Sequence, residues 1–97
     1  MQDHAYIYIL ASKKNGVLYI GSTTNLIKRI YEHKNHVVPG FSQKYNVTHL
    51  VYYESHQDIS FAIVRERQMK KWNRAWKIAL IEEVNPMWQD LYSEIIG

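Results

Sequence analysis

At 97 residues, 46% of them apolar or aromatic, the chain is sized for a single domain (1–97) with a modest core. It has no cysteine, which excludes disulfides and thiolate metal sites and fits the cytoplasm; no apolar run approaches a membrane span, and no signal-peptide pattern opens the chain. The formal net charge is +3, but six basic residues (Arg65, Arg67, Lys70, Lys71, Arg74, Lys77) crowd one stretch, whereas Glu82, Glu83, Asp90 and Glu94 make the C-terminal end acidic. A basic block of this kind suits a phosphate backbone, and equally the solvated face of a helix.

The first two elements read as strands joined by a turn. Ala5, Ile7, Ile9 and Ala11 alternate with Tyr6, Tyr8 and Leu10, and Leu18 and Ile20 alternate with Val17, Tyr19 and Gly21. Between them Lys13-Lys14-Asn15-Gly16 signals a reversal, because Asn-Gly tolerates positive φ. A two-residue turn pairs Lys14 with Val17; a four-residue loop pairs Ala11 with Gly16 and sets Tyr8 opposite Tyr19. Both registers place even residues of the first strand opposite odd residues of the second. Tyr6, Tyr8 and Tyr19 therefore share one face, and Ile7, Ile9, Leu18 and Ile20 share the other. The second face is a ready core. The first carries phenol hydroxyls that donate and accept, although tyrosines are also simply good strand residues.

The hydroxyls of Ser22, Thr23 and Thr24 offer an N-cap for a helix over 25–34, with Ile27, Ile30 and Tyr31 as its apolar stripe and Leu26 beside it. Arg29 and His33 are four apart and stack along one flank. Residues 35–46 read as a loop broken at Pro39-Gly40, with a helical turn at 42–45. A third strand runs over 49–54. Asp58 caps a second helix reaching about Trp72, Asn73 interrupts it, and Arg74 to Val84 form a third with Trp76, Ala79, Leu80 and Val84 inward. Asn85-Pro86 stops that helix, and Trp88, Leu91 and Tyr92 fold back onto the core. The expected fold is α+β in class: a small three-stranded antiparallel sheet flanked by helices in the order β-β-α-β-α-α.

One acid stands out of place. Glu66 falls within the apolar stripe of the second helix, three or four residues from Ala62, Ile63 and Met69. A carboxylate there is costly unless it is paired or metal-bound. It either reaches out to pair with Arg65, Lys70 or another base, or serves as a hard oxygen ligand for Mg²⁺ or a similar cation.

Taken together, these residues resemble the GIY-YIG nucleases. Tyr6-Ile7-Tyr8 stands at the first signature triplet and Tyr19-Ile20-Gly21 at the second, ten residues separating Tyr8 from Tyr19. Arg29 stands at the family's helix arginine, and His33 where the family carries histidine or tyrosine. Glu66 stands at the metal-binding glutamate, and Asn85, at looser spacing, at the late asparagine. Val38-Pro39-Gly40-Phe41 and the stretch from Lys70-Lys71-Trp72 to Trp76-Lys77 are similar to a small standalone bacterial subfamily, itself related to the N-terminal nuclease module of the excision-repair excinuclease. Two residues depart from the pattern. Tyr6 replaces the first glycine, whose absence is expected to reshape one rim of the site. Ser22 replaces the lysine that follows the second triplet in excinuclease-type members.

The resemblance implies a metal-dependent endonuclease cutting phosphodiester bonds in DNA, with repair or processing of unusual DNA structures as the setting. It implies one Mg²⁺ or Mn²⁺ ion held by Glu66, water and phosphate oxygens, acting as Lewis acid at the leaving 3′ oxygen. Arg29 would clamp the scissile phosphate. Tyr19, supported by Tyr8, is the favoured base, its pKa lowered from about 10 by Arg29 and the metal; His33 is the alternative. Ser22, Lys28, Lys44, Lys70, Lys71, Arg74 and Asn85 are the expected nucleic-acid contacts, and the 35–46 loop with Lys34 and Lys44 the place for added ones. DNA is the expected partner, RNA is left open, and a protein partner could supply specificity to a monomer or weak dimer. Two other readings remain: a non-catalytic nucleic-acid-binding module, and a protein-interaction domain using the aromatic surface.

Overall fold

The structure is a computed structural model that describes residues 4–37 and 39–97; Val38, the first residue of the Val-Pro-Gly-Phe stretch, lies outside the described residues. The sheet holds β1 (Ala5–Ala11), β2 (Leu18–Thr23) and β3 (His49–His56), antiparallel throughout, in the order β2-β1-β3. Helices α1 (Leu26–Lys34) and α2 (Phe41–Lys44) separate β2 from β3, and α3 (Ile59–Lys70), α4 (Arg74–Val84) and α5 (Tyr92–Ile96) follow. The expected order holds, with α2 and α5 as short additions. Among the described residues no helix is long and apolar enough to cross a membrane.

The alternation in β1 is what builds the layers. Ala5, Ile7, Ile9 and Ala11 are fully buried on one side with Ile20, Ala62, Met69, Ile81 and Trp88. Tyr8 and Leu10 are buried on the other with Leu26, Ile30, Val47 and Leu50. A central strand covered on both faces is apolar on both faces, and each fully buried Ile or Leu contributes about 1.5–3 kcal/mol.

The strand register differs from both expected pairings. Tyr8 faces Gly21, Leu10 faces Tyr19, and Ala11 faces Leu18. Ser12 closes the hairpin from both ends: its N–H donates to Val17 O and its Oγ accepts from Val17 N–H, each at 3.0 Å. That leaves Lys13 to Gly16 as the loop, with Asn15 in the left-handed region at φ 60°. Arg74 Nη2 donates to Asn15 O (2.7 Å) and Gly16 O (2.6 Å) in that loop. Even-to-odd pairing survives, so the faces are as expected. On the other side of β1, Ile9 pairs with Tyr52 but Leu10 with Leu50, so Val51 is an extra bulged residue.

Two helices are rotated from their expected phase. In α1 the inward stripe is Leu26, Ile30 and His33, whereas Ile27 and Tyr31 are 46% and 56% exposed. Its cap is Asn25, whose Oδ1 accepts from Lys28 N–H at 3.2 Å; Thr23 Oγ1 instead accepts from Asn25 N–H. In α4 Ile81 is buried, with Ile78 and Leu80 beside it, while Trp76 and Val84 are 59% and 62% exposed. The Ile78–Ile81 side joins the cluster containing Trp88, so the returning chain decides which apolar flank turns inward. Asp58 caps α3, as expected, and Asn73, expected only as a break between helices, caps α4 through Trp76 N–H. The C-terminal return is fixed by Leu91 N–H to Leu50 O (2.7 Å) and by Asp90, which accepts from Leu50 and Tyr92 N–H and pairs with Lys34.

Candidate active site

The register puts Tyr8 against the one residue that can accommodate it. A Cβ on Gly21 would fall inside the Tyr8 phenol, so the second triplet's glycine is required by the first triplet's tyrosine. The close backbone approach lies here, and Tyr6 takes no part in it. Tyr6 lines a separate hollow of about 350 Å³ with Leu26, Ile27, Tyr53 and Ile95, none of them a candidate catalytic residue.

Tyr8 is 2% exposed, and its hydroxyl lies 3.0 Å from Nε2 of His33, also 2% exposed. Burial, and then the Arg29 charge, push the His33 imidazole down to about 4. Burial, and then neighbouring Tyr19, push the Tyr8 phenol well above its ordinary value; Arg29 pulls the other way and is outweighed. The expected lowering therefore does not hold for Tyr8. At neutral pH Tyr8 and His33 form a hydrogen-bonded pair of uncharged groups.

Tyr19 is half-buried. Its ring centre is 6.3 Å from that of Tyr8 and 5.3 Å from that of His33, and it stacks on Phe41 at 6.1 Å and 25°. Arg29 is more open, with 42% of its side chain exposed and Nε 3.6 Å from Glu32 Oε1. Its charge acts on both Tyr8 and His33. Lys28 joins Arg29 in a small hollow with Thr23, Thr24, Asn25 and Glu32.

Glu66 lies between buried Ala62 and Met69 with 20% of its side chain exposed, while Ile63, expected on the same stripe, turns outward. Ser22 Oγ donates to Oε1 at 2.5 Å and Lys70 Nζ to Oε2 at 2.6 Å. The acid is thus paired, as one of its two readings expects, and its charge raises Tyr8 further. β2 is an edge strand, and Tyr19 and Lys70, the partner of Glu66, line one groove beside it.

Among the described residues no three His, Asp or Glu side chains group as a metal site. One carboxylate suits an ion that keeps most of its waters, as Mg²⁺ does. The Lys70 ammonium now on Oε2 is a positive partner that such an ion would displace. Glu66 thus fits as the single protein ligand.

The other expected contacts separate. Lys44 Nζ lies 5.4 Å over the Tyr45 ring, Lys71 is exposed at the end of α3, and Arg74 is committed to the hairpin loop. Asn85 is 5% exposed and turned inward: Nδ2 donates to Val51 O and Gln89 O, each at 2.9 Å, and Oδ1 accepts from Gln89 N–H at 3.0 Å. Its environment is that of a structural cap. Sequence reasoning missed two groups. Glu54 gathers Tyr52 Oη (2.5 Å), His56 Nε2 (2.6 Å) and Arg65 Nε (2.9 Å). That cluster takes Arg65 away from Glu66, and only the alternation of Tyr52, Glu54 and His56 along β3 could have hinted at it. Phe41 is the other; its place in the Pro-Gly loop carried no signal of the stack on Tyr19.

A family model described as the GIY-YIG catalytic domain matches residues 4–79. The chain belongs to the GIY-YIG family. Among its relatives, the UPF0213 protein of Staphylococcus saprophyticus is 36% identical over 81 residues, covering 84% of this chain and 98% of that one. The UPF0213 protein of Staphylococcus haemolyticus is 39% identical over 82 residues, covering 80% and 94%. The solved structure of the UPF0213 protein BH0048 from Bacillus halodurans shares the fold with a TM-score of 0.55 at 24% identity, covering 90% of this chain and 92% of that one. This GIY-YIG domain is thus of the small kind, and its family implies nuclease-type chemistry.

Proposed function

We propose that the protein is a divalent-metal-dependent endonuclease hydrolysing phosphodiester bonds in DNA. The observation that supports this most is the meeting of Tyr8, Tyr19 and His33 with Glu66 in one place around a free strand edge. Hydrolysis needs an activated water, stabilised charge on the phosphoryl oxygens and a neutralised leaving alkoxide. When bound at Glu66, a divalent cation supplies Lewis acidity for the leaving oxygen. Arg29 presents a fixed fork of N–H donors to the phosphate. Tyr19 has the exposure to meet a water, so it is assigned proton removal. Tyr8 and His33, buried and uncharged, fix its surroundings and hold the proton network in one orientation. Ser22 orients Glu66 in place of a phosphate contact.

The test is cleavage of labelled duplex, nicked, flapped and branched DNA with Mg²⁺ and with Mn²⁺, comparing wild type, Tyr19→Phe and Arg29→Ala. Wild-type cutting that falls by at least about 100-fold in each variant is expected for a lost general base or phosphate clamp. Full activity of folded Tyr19→Phe would move the base role elsewhere. The Lys70–Glu66 ion pair favours a second reading, a nucleic-acid-binding module without catalysis. That reading predicts salt-sensitive binding with no cutting under any divalent ion.

A further inference from the structure

We propose that the groove along the free edge of β2 binds an unpaired DNA base beside the scissile phosphate, with Phe41 as its stacking platform. The inference rests on the nuclease reading and names a substrate class for it: DNA with an unstacked nucleotide at the cut. The groove is about 300 Å³ and is lined by Leu18, Tyr19, Ile20, Phe41, Lys70 and Lys77.

Three observations point to this occupant. First, Phe41 is 46% exposed although it belongs to a continuous aromatic run, Tyr19–Phe41–Tyr45, with ring centres 6.1 and 4.7 Å apart. Gly40, at φ 109°, adopts a conformation that side-chain-bearing residues rarely take, and the chain turns there to present Phe41. Secondly, the same groove is lined by two basic residues. Lys70 and Lys77 come from two different helices, and their ammonium groups are point charges suited to phosphate. An aromatic platform flanked by cations is the arrangement that holds single-stranded nucleic acid. An apolar peptide would offer Lys77 no counter-charge. Thirdly, the groove is continuous with the candidate site: Tyr19 belongs to both, and Lys70 bonds Glu66. A base inside an intact duplex has both faces covered by its neighbours, so only an unpaired one can offer a face to Phe41.

The test uses the full chain without divalent ions and two oligodeoxynucleotide probes: a fully paired duplex, and the same duplex carrying a short flap whose junction nucleotide is 2-aminopurine. Wild type should bind the flap more tightly than the duplex and quench the 2-aminopurine. Phe41→Ala should lose about tenfold in flap affinity, the range of one base stack, together with the quench. Its duplex affinity should stay within about twofold of wild type. Phe41→Trp should restore both signals, whereas Phe41→Leu, which keeps apolar bulk, should not; melting curves check that each variant folds. Wild-type flap binding in Phe41→Ala, an equal loss on both probes, or no binding by wild type would overturn the subsite. The two readings fail separately. Glu66-dependent cutting untouched by Phe41→Ala refutes the subsite and leaves the nuclease; Phe41-dependent quenching by a protein that never cuts supports the subsite and refutes the nuclease.

Discussion

Acid should unfold this protein through His33 before its carboxylates are exhausted. In the folded state burial, then Arg29, hold the imidazole at about 4, against 6.5 for the unfolded chain. Well above pH 6.5 His33 is neutral in both states and contributes no pH dependence. Between 6.5 and 4 the unfolded chain takes up a proton that the native state refuses, so stability falls as pH falls. The loss is about 2 kcal/mol at pH 5 and levels off near 3 kcal/mol once the native imidazole also charges. Glu54 and Asp90, both held below their ordinary values, add a loss of the same sign at the acid end of this window. The comparison must therefore be with His33→Gln, which keeps an amide near Tyr8 and does not titrate. Urea unfolding of both proteins from pH 7.5 down to 4.5 measures the difference. Wild type should lose about 2 kcal/mol more than His33→Gln between pH 7 and 5, and the folded His33 ring protons should not shift until below pH 5. Parallel stability curves, or a folded His33 titrating near 6.5, would refute the reasoning.

Other outcomes follow from packing. Gly21→Ala drives a methyl group into the Tyr8 ring, which is 2% exposed and hydrogen-bonded to His33, so it cannot swing away. A cost of about 2–3 kcal/mol and a fall in Tm of 10 °C or more, on the order expected for a domain this size, should appear in a melting curve. In a Tyr8→Val background the same Gly21→Ala change should cost much less, since the contact it violates is gone. Asn85→Ala strips three hydrogen bonds from buried backbone, and should lower stability by about 2–4 kcal/mol in urea unfolding. Its DNA affinity should match wild type at temperatures where it stays folded; a selective loss of binding would return Asn85 to the nucleic-acid contacts.

Local features of the fold were legible because their causes are local. Asp58 caps the helix that follows it, and period-two alternation sorts the faces of β1 and β2 whatever the loop length. Features that depend on distant residues were not. The hairpin register is set partly by Arg74, 59 residues from Asn15 in the chain. The phase of α1 looks wrong by hydrophobicity because His33 is its inward residue, and Tyr8, 25 residues earlier, gives that imidazole a buried hydrogen-bond partner. In α4 both flanks are apolar, so periodicity alone could not choose between the Trp76–Val84 side and the Ile78–Ile81 side. At the site, motif spacing brought Tyr8, Tyr19, Arg29, His33 and Glu66 to notice, and the structure gathers them. The Ser22 hydrogen bond to Glu66 spans 44 residues and had no local signal. Asn85 shows the converse: its place in the motif order suggested a contact, and its burial makes it a cap.

The most direct measurement is cleavage of a labelled flapped duplex in Mg²⁺ and in Mn²⁺ by wild type and by Glu66→Ala, with the melting temperature of each protein determined in parallel. The account predicts that wild type cuts only with a divalent ion and that folded Glu66→Ala does not cut at all. Cutting by Glu66→Ala at the wild-type rate, or a folded wild type that binds the flap and never cuts it, would contradict it.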